Sequence, residues 1–164
     1  MQPETRSGYA EAAARPLAEL LACPPATASV LNAAACSIEF ECGQIIFRQG
    51  SESRGLYLVV AGTLVRKAER RTTRLILGTV RAGELVELAA ALGDGQHTCT
   101  LTAQSSGSLM LLPSEALRQA FRAYPPLRMQ LLGELAREVS RAYAACRKAR
   151  VTSFRADDRR RSTG

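Results

Sequence analysis

Residues that could bind a small anion are concentrated between positions 83 and 99 of this 164-residue chain. The segment opens on glycine and an acidic residue, and a short apolar run follows Glu87. A turn with two glycines comes next, and an alternating stretch begins at His97. The first N–H groups of a helix have no partner within it, so a short helix beginning at Glu87 predicts an electropositive concavity. The following strand would carry His97 or its neighbour across that space, although a turn that merely closes a β-barrel explains the same pattern.

His97 and Cys99 are two residues apart, a spacing that directs both side chains to one face of a strand. Imidazole nitrogen and thiolate sulfur both bind metals, so a haem or metal sensor using His97 is one hypothesis. A histidine held by hydrogen bonds for a structural purpose is the other. The five cysteines are scattered and none forms a CxxC pair, so we predict no disulfide framework and no structural zinc. Outside the haem or metal hypothesis, no cofactor is predicted.

The composition limits the classes of protein that this sequence can encode. A chain of 164 residues that is 46% hydrophobic suits one soluble globular domain with a buried core. No apolar run approaches the roughly 18 residues that span a bilayer, and the N-terminal region does not resemble a signal peptide. We therefore expect a cytoplasmic protein that has no membrane partner. It contains one histidine, no nucleophile elbow, no P-loop and no paired carboxylates at a common face, which argues against an enzyme.

The net charge of +7 is concentrated at one end of the chain. Eight basic and two acidic residues follow position 140, whereas the rest of the chain holds 14 basic and 13 acidic residues. A basic tail of this kind can contact phosphate backbones without reading bases, although a solvated terminus is the commoner explanation. We predict a disordered basic tail over residues 151–164, with at most weak, sequence-independent contact with nucleic acid.

An alternation of apolar and polar residues predicts the strands. Cys36, Ile38, Phe40 and Cys42 alternate with polar residues, which predicts a half-buried strand with both cysteines in the core. Short strands at regular spacing, separated by glycine turns, are typical of antiparallel barrels. The predicted fold is α+β but mostly β, an antiparallel β-roll or double-stranded jelly-roll barrel over residues 36–124. Its further strands are predicted at residues 44–48, 56–60, 63–68, 74–80, 97–104 and 108–112.

Helices are predicted on both sides of the barrel. The alanine-rich N-terminal segment, residues 1–35, predicts two or three short helices, and Ser114 predicts the N-cap of a helix that ends near Ala123. A longer helix is predicted over residues 125–150, with proline in its first turn. Its apolar residues recur at alternating intervals of three and four, as in the seam of a two-stranded coiled coil. This predicts a parallel homodimer, with packing of the same face on the barrel as the alternative. The seam residues are Leu132, Leu135, Val139, Ala142, Cys146 and Ala149.

Residues 36–150 resemble the effector domain of the cyclic-nucleotide-binding superfamily, in the branch of the catabolite activators and fumarate-nitrate-reductase regulators. The resemblance rests on two glycine-flanked segments, GQIIFRQG at residues 43–50 and GLYLVVAG at residues 55–62, and on the helix after the barrel. It implies a non-enzymatic sensor or regulatory domain of the transcription-regulator type that dimerises through its last helix. It also places the phosphate-binding cassette of the family on Gly83, Glu84, Val86, Glu87, Leu88, His97, Thr98 and Cys99.

The cassette differs from that of the family's nucleotide binders, in which a glycine precedes the glutamate that holds the ribose hydroxyl and an arginine ten residues later meets the phosphate. Here Glu87 has the place of the glutamate, Val86 that of the glycine and His97 that of the arginine. A guanidinium gives a phosphate two parallel hydrogen bonds, whereas an imidazole offers one donor. We therefore predict a degenerate pocket that binds cyclic AMP or cyclic GMP weakly or not at all. An altered ligand preference, with a different small anionic effector, is the alternative.

Two other parts of the family have no counterpart in the sequence. Only Cys23 precedes the barrel, so the four thiolates of an iron–sulfur cluster cannot be assembled at that site. The DNA-binding helix-turn-helix of the family follows the dimerisation helix, and this sequence ends 14 residues after Arg150. We therefore expect no sequence-specific DNA binding by this chain alone.

Overall fold

The computed structural model describes residues 17–161 and the side chains of residues 17–144. The chain divides into two compact units, one that ends at Leu131 and one that begins at Leu132. In the described part of the first unit, residues 17–21 are helical, and three further helices follow, α1 (Pro25–Ala34), α2 (Leu88–Leu92) and α3 (Ser114–Ala123). The strands are β1 (Cys36–Phe40), β2 (Ile45–Phe47), β3 (Gly55–Ala61), β4 (Thr63–Arg70), β5 (Thr73–Arg81), β6 (Leu85–Val86), β7 (Thr100–Ala103) and β8 (Gly107–Pro113).

The strands form two antiparallel sheets of four strands each, which confirms the predicted mostly β roll. One sheet has the order β1-β8-β3-β6 and the other the order β2-β7-β4-β5. Each predicted strand overlaps an observed strand, and only the two-residue β6 was not predicted. Most neighbouring strands are distant in the sequence, so the sheets bring the two ends of the barrel sequence together.

The core is built from alternate side chains of both sheets. Leu64 of β4, Leu101 of β7 and Leu109 of β8 are all fully buried. Complete burial of a leucine side chain contributes about 1.5–3 kcal/mol. The alternation of apolar and polar residues that predicted the strands therefore also identifies the residues that pack between the sheets.

The prediction that Cys36 and Cys42 belong to the core is wrong, because both are exposed. Cys36 is the first residue of β1, which lies at the end of its sheet. Cys42 lies beyond β1 in a turn, where its thiol donates a hydrogen bond to the Gln104 carbonyl oxygen (3.0 Å). Phe40 is buried and Ile38 is partly buried, so the period was correct at the centre of the strand. An end strand has too little cover to bury its first residue or the turn after it.

The helix α3 has the predicted bounds, but its N-terminus differs from the prediction. Pro113 occupies the N-cap position and no side chain caps the helix, so the assignment of Ser114 as N-cap is wrong. The Ser114 N–H instead donates to the carbonyl oxygen of Arg54 (3.0 Å), a tertiary contact that local sequence does not reveal. Of the predicted N-terminal helices, residues 1–16 lie outside the described residues.

The last helix, α4 (Pro126–Arg161), begins where the sequence predicts and continues past the predicted end at position 150. Residues 151–161, predicted to be disordered, are therefore helical. The segment from position 134 to position 161 contains no glycine or proline and is rich in alanine and arginine, which favour a helix. Within residues 17–161, none of the helices combines the length and the hydropathy that crossing a membrane requires.

The predicted dimerisation seam lies on α4 in the second unit. Leu132 and Leu135 are partly buried, whereas Val139 and Ala142 are exposed. The side chains of Cys146 and Ala149 lie outside the described residues. The seam remains a prediction from the spacing of its residues.

Gly107→Ala should destabilise the barrel, because a Cβ at this position would collide with the Ala61 carbonyl oxygen and lie 2.7 Å from the Phe40 ring. We expect the free energy of unfolding, measured by urea titration, to fall by about 3 kcal/mol. Gly133→Ala is the matched control, since a Cβ there has nothing within 4 Å. Alanine favours a helix over glycine, so this variant should gain about 1 kcal/mol. Equal unfolding midpoints for the two variants would contradict the close approach of β3 and β8.

Candidate functional site

The cassette residues lie where β6 passes into α2. Val86 ends β6 and Leu88 begins α2, and both side chains are buried. Glu87, between them, has a left-handed backbone conformation (φ 73°, ψ 33°). This conformation costs a residue other than glycine about 1–2 kcal/mol. The Glu87 side chain lies in the interior, with only 1% of its surface exposed.

Three consecutive residues engage both oxygens of the Glu87 carboxylate. Oε2 lies 3.1 Å from Nδ1 of His97 and accepts the backbone N–H of Thr98 at 3.1 Å. Oε1 accepts the Thr98 hydroxyl at 3.1 Å and the Cys99 thiol at 3.4 Å. An ionised carboxylate can only accept hydrogen bonds, so the contact with His97 requires the proton on Nδ1. Four contacts thus satisfy a carboxylate that is withdrawn from water.

The imidazole of His97 is fixed by aromatic rings and by its own backbone. It stacks on the Phe47 ring, with centroids 3.7 Å apart and planes 4° from parallel. Tyr57 completes a tilted aromatic cluster, with its centroid 5.8 Å from that of His97. The backbone N–H of His97 donates to the Ser51 carbonyl oxygen, and the backbone carbonyl oxygen of His97 accepts the Gly50 N–H, both at 2.8 Å. Since only 2% of the side chain is exposed, the ring has one position and one orientation.

The prediction that a strand begins at His97 is wrong, because β7 begins at Thr100, whereas the predicted common side of His97 and Cys99 agrees with the burial of both side chains. The ladders of β7 with β2 and β4 start only at that residue or after it. Residues 97–99 turn instead, and all three reach Glu87. The buried carboxylate accounts for this geometry, since it requires donors from both the side chains and the backbone of the segment.

The Cys99 thiol is a hydrogen-bond donor in this site. Burial and the negative charge of Glu87 raise the pKa of Cys99 to about 12, and the guanidinium of Arg66 opposes this shift only in part. A thiol with such a pKa stays protonated and is neither a nucleophile nor a ready metal ligand. Nδ1 of His97 and Sγ of Cys99 are both directed at Glu87 rather than at a shared metal position. Paired use of His97 Nδ1 and Cys99 Sγ as ligands of one metal therefore does not fit this geometry.

The remaining cassette residues do not join the cluster. Gly83 (φ 89°) and Glu84 are exposed in the turn between β5 and β6. The Gly83 N–H donates to the carbonyl oxygen of Val59 (2.8 Å), and the Glu84 carboxylate accepts the Arg81 N–H (2.6 Å). These two residues hold the turn against β3 and contribute nothing to the buried network.

Sequence reasoning did not identify Phe47 and Tyr57 as site residues. Both belong to the core, Phe47 from β2 and Tyr57 from β3. The period of two predicts that they are buried. The contact with His97, however, depends on how strands that are distant in the sequence are placed, and no local pattern shows that.

The family model of the cyclic nucleotide-binding domain matches residues 37–124. The chain belongs to the cyclic nucleotide-binding domain family. The matched region contains the barrel, the cassette and α3. The resemblance inferred from the glycine-flanked strands is thereby confirmed.

Several known proteins are similar to this chain in sequence or in structure. Patatin-like phospholipase domain-containing protein 7 of Mus musculus is 32% identical over 103 residues, which are 59% of this chain and 8% of that relative. The catabolite activator protein of Thermus thermophilus has a TM-score of 0.69 at 22% identity, over 82% of this chain and 62% of that one. The sensor domain of the transcriptional regulator DNR from Pseudomonas aeruginosa has a TM-score of 0.67 at 19% identity, over 85% of this chain and 93% of that one. The two structures establish a common fold.

Cys99 should resist alkylation in the folded protein, because its raised pKa keeps the thiolate from forming until the pH approaches about 12. A brief iodoacetamide pulse at about pH 8, followed by peptide mass mapping, should label the exposed Cys36 and Cys42 and spare Cys99. Glu87→Gln removes the neighbouring negative charge, so the onset of Cys99 labelling should move to lower pH. Labelling of Cys99 at the rate of Cys36 in the wild-type protein would contradict the buried network.

Proposed function

We propose that this member of the cyclic nucleotide-binding domain family is a non-enzymatic regulatory domain whose cassette is closed by its own side chains. The observation that carries the proposal is the engagement of both Glu87 oxygens by residues 97–99. In the closed state the domain takes up cyclic AMP and cyclic GMP weakly or not at all. The described cysteines are free, which supports action in a reducing compartment such as the cytoplasm.

Glu87, which has the place of the family's ribose-binding glutamate, already makes its hydrogen bonds within the protein. A carboxylate has about four lone-pair sites, and the Glu87 carboxylate makes four contacts within the protein. A ribose hydroxyl could bind Glu87 only by displacing one of these donors. Displacement of either buried donor, the His97 imidazole or the Cys99 thiol, would leave that group without its partner, at a cost of about 1–3 kcal/mol.

The phosphate position has an unfavourable charge. Segment 83–99 contains three carboxylate residues, Glu84, Glu87 and Asp94, and neither lysine nor arginine. Like charges about 4 Å apart repel by about 4 kcal/mol at an effective dielectric constant of 20. A cyclic phosphate placed beside Glu87 would therefore be repelled by this carboxylate, and the cassette segment supplies no guanidinium to offset the repulsion. The Arg66 guanidinium of β4 is a cation that acts on the site from outside the segment, where it opposes in part the rise in the pKa of Cys99.

Nδ1 of His97 is not available to replace the guanidinium of the family's nucleotide binders. This nitrogen faces Glu87, and the ring lies flat against Phe47. Turning the ring toward a ligand would break the contact with the carboxylate and part of the aromatic stack. The energetic cost of both changes opposes binding of an anion in the closed state.

Titration calorimetry with cyclic AMP and cyclic GMP should give a dissociation constant weaker than about 100 μM for the wild-type protein. His97→Arg should strengthen binding of cyclic AMP, because it supplies a planar cation that can bind phosphate oxygens in pairs. His97→Gln is the control, since it removes the imidazole without adding a charge, and it should bind no better than wild type. A micromolar or tighter constant for the wild-type protein would overturn the proposal and favour an altered ligand preference.

The proposal includes a parallel homodimer formed by α4. Its support is the seam at intervals of three and four residues, with Val139 60% exposed and available to a partner helix. In a parallel pair with two-fold symmetry, each seam position lies opposite the same position of the other chain. The two Cys146 residues would then face each other across the axis.

Leu135→Asp should convert the dimer to a monomer in sedimentation experiments, because it places two facing carboxylates in the seam. Ser140→Asp is the matched control, since position 140 lies outside the seam, and it should leave the dimer intact. With the exposed Cys36 and Cys42 both replaced by serine, mild oxidation should give a covalent dimer that Cys146→Ser abolishes. A wild-type monomer at tens of micromolar, or cross-linking that persists without Cys146, would show that the seam packs within one chain.

A further inference from the structure

Strand β5 has an open edge. It is the last strand of its sheet, so among the described residues only β4 pairs with it. β4 in turn pairs with β7 only as far as Lys67, and beyond that point β4 and β5 continue to their turn as a two-stranded ribbon. On the β4 side the Gln49 side chain accepts the Glu69 N–H (2.8 Å). The long uncovered edge of the ribbon is therefore that of β5.

The open edge carries three consecutive apolar residues. Leu75, Ile76 and Leu77 are 50%, 75% and 51% exposed. Leu75 pairs with Ala68 and Ile76 with Lys67 across the ribbon, so these two apolar side chains project from opposite faces. An apolar edge strand with unpaired backbone groups is a template for one more strand.

The ribbon is also strongly basic. Residues 67–77 contain four cationic residues, Lys67, Arg70, Arg71 and Arg74, and one carboxylate, Glu69. Arg74 forms an exposed ion pair with Glu69 (3.3 Å), which leaves the ribbon with a net positive charge. The positive potential favours a negatively charged occupant of the edge.

Two other occupants fit these observations less well. A flat anionic membrane could cover only one face of the ribbon, whereas Leu75 and Ile76 lie on opposite faces. Insertion of the ribbon by its tip would place Arg70 and Arg71 in the apolar layer first. Pairing of two copies through β5 would bring two cationic ribbons together. Repulsion between like charges is a common protection of edge strands against such self-association.

We propose that the β5 edge binds an extended, acidic segment of a partner protein by strand addition. Backbone hydrogen bonds to β5 supply affinity, and apolar residues of the segment cover Leu75, Ile76 and Leu77. Carboxylates of the segment meet Arg70, Arg71 and Arg74. This surface lies outside the cassette, so the proposal does not depend on whether the cassette binds a ligand.

The probe for this surface is a fluorescein-labelled, end-blocked peptide of alternating glutamate and valine residues, with binding followed by fluorescence anisotropy. We expect saturable binding that weakens with salt, and slower amide hydrogen exchange in β5 when the peptide is present. Ile76→Thr should weaken binding about fivefold, because it removes apolar contact area while keeping a β-branched side chain. Val60→Thr is the matched control, since Val60 is 52% exposed on β3, and it should bind the peptide as wild type does.

Two altered peptides test the two parts of the interaction. The same peptide with N-methyl groups on alternate residues loses ladder hydrogen bonds, and the peptide with lysine in place of glutamate reverses the charge, so neither should bind. Equal binding of the N-methylated peptide, or no saturation by about 1 mM of the original peptide, would overturn strand addition. If the protein binds phosphatidylglycerol vesicles but not the peptide, and Ile76→Thr weakens the vesicle binding, the surface is assigned to a membrane. Self-association that Ile76→Thr abolishes would assign it to a second copy of the chain.

Discussion

A carboxylate withdrawn from water determines the shape of the functional end of this domain. An ionised group in the interior is costly unless donors surround it, and Glu87 obtains its donors from His97, Thr98 and Cys99. Since these donors are consecutive, the segment cannot continue the ladder of β7 while it serves the carboxylate. The backbone groups thereby released pair with Gly50 and Ser51, which fastens the cassette to the connection between β2 and β3.

The barrel was predictable because burial between two sheets imposes a period of two on each strand. β4 and β5 lie within a few residues of their predicted positions, and α3 has its predicted bounds. The errors lie where the outcome depends on cover from distant parts of the chain. Cys36 follows the alternation but stands at the end of a sheet, and the helix α4 continues because nothing in its local sequence stops it before Arg161.

The location of the candidate site was predictable from the sequence, whereas its internal contacts were not. Resemblance to the family assigned Glu87 and His97 to one cassette, and their side chains lie 3.1 Å apart. The stack of His97 on Phe47 joins two segments separated by 50 positions in the chain, and the left-handed conformation of a glutamate contradicts its local preference. Tertiary packing decides both features. The sequence showed that the arginine with which the family binds the phosphate is absent. The structure was needed to see that the remaining glutamate, Glu87, is already engaged by the protein's own side chains.

The left-handed backbone at Glu87 connects the carboxylate contacts to the junction between β6 and α2. This conformation costs about 1–2 kcal/mol of backbone strain, which the contacts of the carboxylate offset. When those contacts are withdrawn, the residue can relax to right-handed φ and ψ angles, and these angles add it to the N-terminus of α2. Val86 directly precedes Glu87 and pairs with Tyr57, so any change of backbone conformation at Glu87 would act first on the two-residue strand β6 and on its bonds to β3.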